Sequence, residues 1–260
     1  MTSEGPYDVL RGLGFRASAD QIRALIEHAT KSRISHVELI ERLAEVERRE
    51  RDTRNLARRT HDANLGRHAP LDRFDWNHPQ TIDRGLYEQL LSMAFVDAAE
   101  NVLLRGPAGV GKTTLAQNLG LAALQAGYTV KFTTLAAAIA DLLKQESLPA
   151  MDRRLRRYIS PALLIIDEIG YIPCDNRAAD TLYSIISRRH ERASTVITTN
   201  LAFKQWGTVF PGAACVGALV DRYTQHLHVL DIEAESYRNR REAKGVKAVA
   251  PSRARRPTRK

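Results

Sequence analysis

The sequence predicts an α/β fold, a parallel sheet with helices on both faces, preceded by a small helical domain. Three observations lead there. From about residue 82 short apolar runs alternate with helical ones, the grammar of strands buried on both sides and joined by helical crossovers. Residues 18–67 read as helical, first by apolar spacing and then as a charged, solvated run. At 260 residues the chain exceeds a common single domain, so one large core with a smaller appendage is expected.

In the N-terminal part, Ser18 can cap a helix whose apolar positions Ile22, Leu25, Ile26 and Ala29 share one face. Ser35 and Glu38 make a capping-box pattern before Leu39, Ile40, Leu43 and Val46. The stretch ERRERDTRNLARRTHDANLGRH is mixed in charge and reads as a solvated helix. Its later half holds Arg54, Arg58, Arg59 and Arg67 against Asp62 alone, and Arg54 and Arg58 share a helix face. These arginines are candidates for DNA phosphates. APLDRFDWNHPQ then breaks the pattern with two prolines and two aromatics, as a linker docking onto the next domain does. Phe74 and Trp76 in it either stack on a nucleotide or cover an edge of the core. The strands expected after it are NVLL (101–104), YTVKFTT (128–134), ALLIID (162–167), TVITT (195–199) and HLHVL (226–230), with helices near 112–126, 135–146, 176–192 and 215–225.

Composition excludes several classes. No run of about 18 apolar residues exists to span a membrane as a helix. MTSEGPYDVLRGLGF lacks the layout of a secretory signal, and Cys174 and Cys215 have no metal-type spacing, so reduced thiols in a cytoplasmic protein are expected. The formal charge of +9 is concentrated at one end: residues 238–260 hold ten of the 39 Lys/Arg and one of the 30 Asp/Glu, leaving 29 of each before them. The ending PSRARRPTRK is expected to be disordered, and it is either a phosphate-binding arm or a solubilising tail.

The chemistry gathers at strand ends. GPAGVGKT matches G-x-x-x-x-G-K-[ST] and stands between an expected strand and an expected helix, where a phosphate-binding loop must stand. Gly106, Gly109 and Gly111 let the backbone wrap a phosphate; Lys112 supplies a charge to the outer phosphates, Thr113 a hydroxyl to Mg²⁺, and the helix N-terminus favours an anion. Further on, ALLIIDEIG ends a strand in Asp167, suited to Mg²⁺, and Glu168, suited to activating water. A phosphotransferase whose acceptor is a substrate hydroxyl needs no water activator, so the pair points to hydrolysis. Asn200 ends the next strand and would lie beside them if neighbouring strands end level. With no N-K-x-D motif to read guanine, ATP is the expected nucleotide. Arg222 in ALVDRYTQHLHVL either reaches a terminal phosphate on a neighbouring subunit or pairs with Asp221 or Glu233. His226 and His228 alternate on a strand and read as packing residues.

These residues in this order resemble the IstB-like ATP-binding proteins, transposition-helper ATPases of bacterial insertion sequences and relatives of the DnaC helicase loader within the AAA+ superfamily. The resemblance runs from about Ile34 to Arg241 and includes LARRTHDANLGRHAPLDRFDW, LLIIDEIGYIP, ISRRHERASTVITTNLAFKQWGTVF and ALVDRYTQHLHVLDIEAESYR. It implies a helical N-terminal domain (1–70) ahead of an AAA+ ATPase domain (83–241); composition sets the linker between them (71–82) and the basic tail after them (242–260), whose role the family does not settle. It further implies homo-oligomers around double-stranded DNA, ATP sites between subunits, and a cognate transposase as partner, with a helicase loader of the DnaC type as the alternative. By position, Gly106, Pro107, Ala108, Gly109, Val110, Gly111, Lys112, Thr113 and Thr114 would bind nucleotide. Asp167 and Glu168 would serve Mg²⁺ and hydrolysis, Asn200 would be a sensor, Arg222 a trans-acting arginine finger and Arg238 a sensor-like residue. The sequence departs from the family at Thr114, usually His, in RRHER where Arg-Tyr-Glu is common, and at Ala234, usually Gly; none of these removes a catalytic group.

Overall fold

A computed structural model of the chain describes residues 5–67, 69–170 and 176–234. The chain divides into two compact units, Met1–His61 and Asp62–Lys260.

The first unit is helical: α1 (Pro6–Gly12), α2 (Ala19–Ser32) and α3 (His36–Ala63), whose last residues pass into the second unit. The expected caps form. Ser18 Oγ accepts from Gln21 N at 3.2 Å while Gln21 Oε1 accepts from Ser18 N at 2.7 Å, and Ser35 Oγ accepts from Glu38 N at 3.1 Å. Along α3, Arg42–Glu38, Arg49–Glu45 and Arg54–Glu50 pair one turn apart, as suits a long solvated helix. Glu47 is the exception: 6% exposed, it accepts from the Arg16 and Ala17 backbone N–H groups at 2.7 and 2.9 Å. Burial raises the pKa of its carboxyl, but those bonds and Arg51 outweigh this and hold it below its ordinary value.

The second unit is built on a six-stranded sheet: β1 (Thr81–Ile82), β2 (Asn101–Arg105), β3 (Val130–Thr134), β4 (Leu163–Ile169), β5 (Ser194–Thr199) and β6 (Leu227–Glu233), in spatial order β1-β6-β2-β5-β4-β3. The five expected strands are present and run parallel. The sheet is mixed, however, because β1, from the end of the linker, adds antiparallel to β6. Two residues between prolines, aromatics and polar groups carry no periodicity, so this edge strand has no sequence signal.

Helices α4 (Arg84–Leu90), α5 (Ala94–Asp97), α6 (Lys112–Gln125), α7 (Leu135–Leu143), α8 (Leu148–Ile159), α9 (Asn176–Arg189), α10 (Trp206–Val209) and α11 (Val216–Thr224) complete the unit. Alternate strand residues serve the two faces. Leu103, Leu164, Ile166 and Ile197 join α7 to α11 in one buried cluster, while Ile165 meets α6 at Gly120 on the other face. Helix α8 is an addition to the expected alternation, started by Ser147, whose Oγ accepts from Ala150 N at 3.3 Å, and by a proline in its first turn. Among the described residues no helix is long and apolar enough to cross a membrane.

Candidate active site

The loop Gly106–Gly111 leaves the C-terminal end of β2 and enters α6, with β5 and β6 on either side of β2. Gly109 and Gly111 have φ of 79° and 96°, where a β-carbon is strained, so the motif's glycines are used for conformation. Space matters as well. A β-carbon on Gly106 would sit 2.3 Å from the Ile232 carbonyl oxygen, and one on Gly111 would sit 2.6 Å from Phe74 Cε2. The concave turn that results precedes the N-terminus of a 14-residue helix, a setting that favours an anion. Lys112, 5% exposed, donates from Nζ to the carbonyls of Gly106 and Pro107 at 2.7 and 2.6 Å.

The two carboxylates at the end of β4 are separated by a bulge. Ile166 pairs with Ile197 and Ile169 with Thr199, so Asp167 and Glu168 together oppose Thr198 alone. Glu168 takes φ of 65°, an uncommon value for a residue with a side chain. Strict alternation would send neighbouring side chains to opposite faces of the sheet; the bulge re-aims them. Asp167 is buried, 3% exposed, and its Oδ1 accepts from Thr113 Oγ1 at 3.2 Å and from Thr198 Oγ1. Glu168 is exposed and its backbone N–H donates to Thr198 Oγ1 at 2.9 Å. Thr198 thus ties both acids together, and sequence reasoning missed it. The available signal was the row of hydroxyls, Thr195, Thr198 and Thr199, in a strand read as apolar.

The cavity has a volume of about 330 Å³. It is lined by Ala108–Thr114, Glu168 and Thr198 and, from the segment ahead of the sheet, by Ala69, Arg73, Phe74, Asp75 and His78. The aromatic pair divides its work. Phe74 lines the cavity; Trp76 meets the Phe74 ring edge-on, with centroids 4.8 Å apart, and packs on Tyr87, with the Arg84 guanidinium 5.2 Å from its own centroid. Tyr87, fully buried, donates its hydroxyl to the Leu115 carbonyl at 3.0 Å, fastening the start of the domain to α6; burial pushes its pKa well above the ordinary tyrosine value.

Other expected site residues lie elsewhere. Asn200 follows β5, and its Oδ1 approaches Gly170, just past the end of β4; it is exposed and does not line the cavity. Arg222 on α11 is outside the cavity too, and pairs with neither Asp221 nor Glu233. Its Nη1 donates to the hydroxyls of Tyr183 and Ser187 on α9, with the guanidinium 4.9 Å from the Tyr183 ring centroid. In the first unit Arg54 is ion-paired to Glu50 and donates to the Arg16 carbonyl; Arg58 is exposed and Arg59 half-buried. Arg67, in the second unit, is exposed. His228 pairs with Glu100 at 2.7 Å, a polar role where packing was expected. Arg238 and the tail lie outside the described residues, as does Cys174.

A glycine loop from a central parallel strand, an acid pair on β4 and the order β6-β2-β5-β4-β3 define a P-loop ATPase core of the AAA+ type. The chain belongs to the IstB-like ATP-binding proteins, the family of the insertion sequence IS21, whose model matches residues 9–245. It is an ATPase of the group associated with such elements. It is 36% identical over 217 residues to the ATP-binding protein of insertion sequence IS21 from Pseudomonas aeruginosa, covering 84% of this chain and 82% of that one. To the ATP-binding protein of IS5376 from Geobacillus stearothermophilus it is 32% identical over 222 residues, 85% and 88% of the two chains. In fold it is similar to the crystal structure of DnaI, with a TM-score of 0.53 at 18% identity over 63% of this chain and 90% of that one.

Proposed function

We propose that this chain is a transposition helper that oligomerises on double-stranded DNA, directs a cognate transposase to the site, and is released by ATP hydrolysis. The observation that carries the hydrolytic part is the bulge that brings Glu168 to the cavity beside a buried Asp167. In this reading residues 1–70 form the helical domain, 71–82 the linker and 83–241 the ATPase domain.

The loop residues from Gly106 to Thr114 hold the phosphates through backbone N–H groups, and Lys112 exchanges its carbonyl partners for phosphate oxygens. Thr113 and Asp167 are the residues to hold Mg²⁺. One hydroxyl and one carboxylate, 3.2 Å apart, suit Mg²⁺, which leans on few protein ligands, substrate phosphates and water. Bound there, the ion would supply positive charge against the phosphates. Glu168 orients a water and accepts its proton as the water oxygen bonds to the terminal phosphorus and the bond to the ADP oxygen breaks. Asn200 steadies that water or the terminal phosphate. Arg222, which does not line its own cavity, serves a neighbouring subunit's phosphate, and Arg238 acts as a weaker sensor.

DNA is held through its phosphates by Arg58, Arg59 and Arg67, by Arg54 to the extent that Glu50 releases it, and by the basic tail. Removing residues 246–260 is expected to flatten the dependence of DNA affinity on salt concentration; an unaltered slope assigns the tail a solubilising role. The partner is tested by capture with Glu168→Gln chains assembled on DNA with ATP. Recovery of a transposase supports the proposal, and recovery of a replicative helicase in its place overturns it in favour of a loader.

A further inference from the structure

Arg222 lies in a setting that distinguishes it from the arginines fixed by carboxylates in the same unit. Arg105 and Arg154 each meet an aspartate, Asp231 and Asp141, through two nitrogens. Arg222 has no ion pair among the described residues. Both of its hydrogen bonds leave from Nη1 and end on neutral hydroxyls, Tyr183 Oη and Ser187 Oγ. Those two side chains are four residues apart on α9 and share a face of it. The Tyr183 ring also lies against the guanidinium, at 4.9 Å from its centroid.

This arrangement has a chemical consequence. A guanidinium carries five N–H donors, and Nη1 accounts for two of them, which leaves Nε and Nη2 for another acceptor. Neutral acceptors orient the group without cancelling its charge, whereas a carboxylate would do both. The half-buried position also limits the rotamers of a long side chain, so less ordering remains to be done when a phosphate arrives.

We propose that Tyr183 and Ser187 are positioning residues for Arg222, fixing Nη1 so that Nε and Nη2 grip the terminal phosphate held by a second copy of this chain. The inference rests on the trans role of Arg222 given above. Its test is the double variant Tyr183→Phe/Ser187→Ala, which keeps the ring and removes both acceptors, studied as full-length chains assembled on DNA. Turnover is expected to fall by about ten-fold, the scale of one charge-assisted hydrogen bond, with KM for ATP and the unfolding temperature unchanged. Retention of ADP with aluminium fluoride, a transition-state mimic, should drop by a similar factor while retention of a non-hydrolysable ATP analogue does not. Adding the pair to Arg222→Ala should lower turnover no further. Mixing the double variant with Glu168→Gln chains, whose Arg222 is intact, should restore part of the turnover. Full turnover in the double variant alongside a strong loss in Arg222→Ala overturns the positioning role and leaves the trans role standing. No loss in Arg222→Ala itself overturns both.

Discussion

Two arginines near α9 have opposite surroundings. Arg189, its last residue, is 1% exposed and donates to the carbonyls of Tyr158, Ile159, Pro161, Ala162 and Ser194 and to Thr195 Oγ1. It closes the end of α8, the turn into β4 and the start of β5 around one cation. Burial pulls its pKa down to about 9, still far above neutral, so the charge is kept. Arg222 on α11 is half-buried, has two hydroxyls for partners and keeps donors in reserve. Charge alone does not separate a structural arginine from a functional one; what separates them is how many of the donors the fold has already used.

The comparison predicts which loss each replacement causes. Arg189→Ala takes a donor from six oxygens at once, of which the Ala162 carbonyl keeps a second donor in Ser194 N, and should cost about 3–5 kcal/mol of stability, read by urea unfolding, with activity lost only as the fold is lost. An Arg189→Ala chain as stable as the parent would refute the structural assignment. Arg222→Ala should do the reverse, lowering turnover by about a thousand-fold with little change in the unfolding midpoint. Partial recovery on mixing with Glu168→Gln chains would sharpen that contrast, and no recovery in a mixture that co-assembles would break it. Thr198→Val lies between them, because its hydroxyl serves both the acid pair and the interior. A fall of roughly ten-fold in kcat together with about 1–3 kcal/mol of stability is expected, measured on the same preparation.

The smallest effect concerns an arginine already neutralised. Arg154 bonds Asp141, Tyr158 adds its hydroxyl, and these outweigh burial to hold the Asp141 carboxyl below its ordinary 3.8. A depressed carboxylate stabilises the fold above its unfolded pKa and loses that contribution as pH falls through the folded one. Asp141→Asn should therefore cost about 1 kcal/mol or less near neutrality and have no effect at low pH, seen in unfolding curves across that range. An equal cost at both ends would rule out the charge as its source.

The parallel strands, the phosphate loop and the acid pair were legible because each is local. An apolar run, a glycine spacing and a dipeptide are complete in a few consecutive residues. Strand β1 and helix α8 were not. The first is two residues that pair only because β6 offers an edge, and the second mixes arginines with a proline in its opening turn. Among the linker aromatics the sequence left two uses open for both; packing gave Phe74 to the cavity and Trp76 to Tyr87.

By itself the sequence determined that a phosphate loop would join a parallel strand to a helix, since glycine φ freedom and apolar periodicity act over a few residues. It also determined that an Asp–Glu pair would end a neighbouring strand. Only the tertiary structure decided that a bulge against Thr198 brings Glu168 to the cavity, because the bulge exists in the register of two strands. The tertiary structure likewise set Arg222 on Tyr183 and Ser187 in place of the nearby acids. Which of several partners a long side chain takes depends on how helices far apart in sequence pack, and no local pattern encodes that.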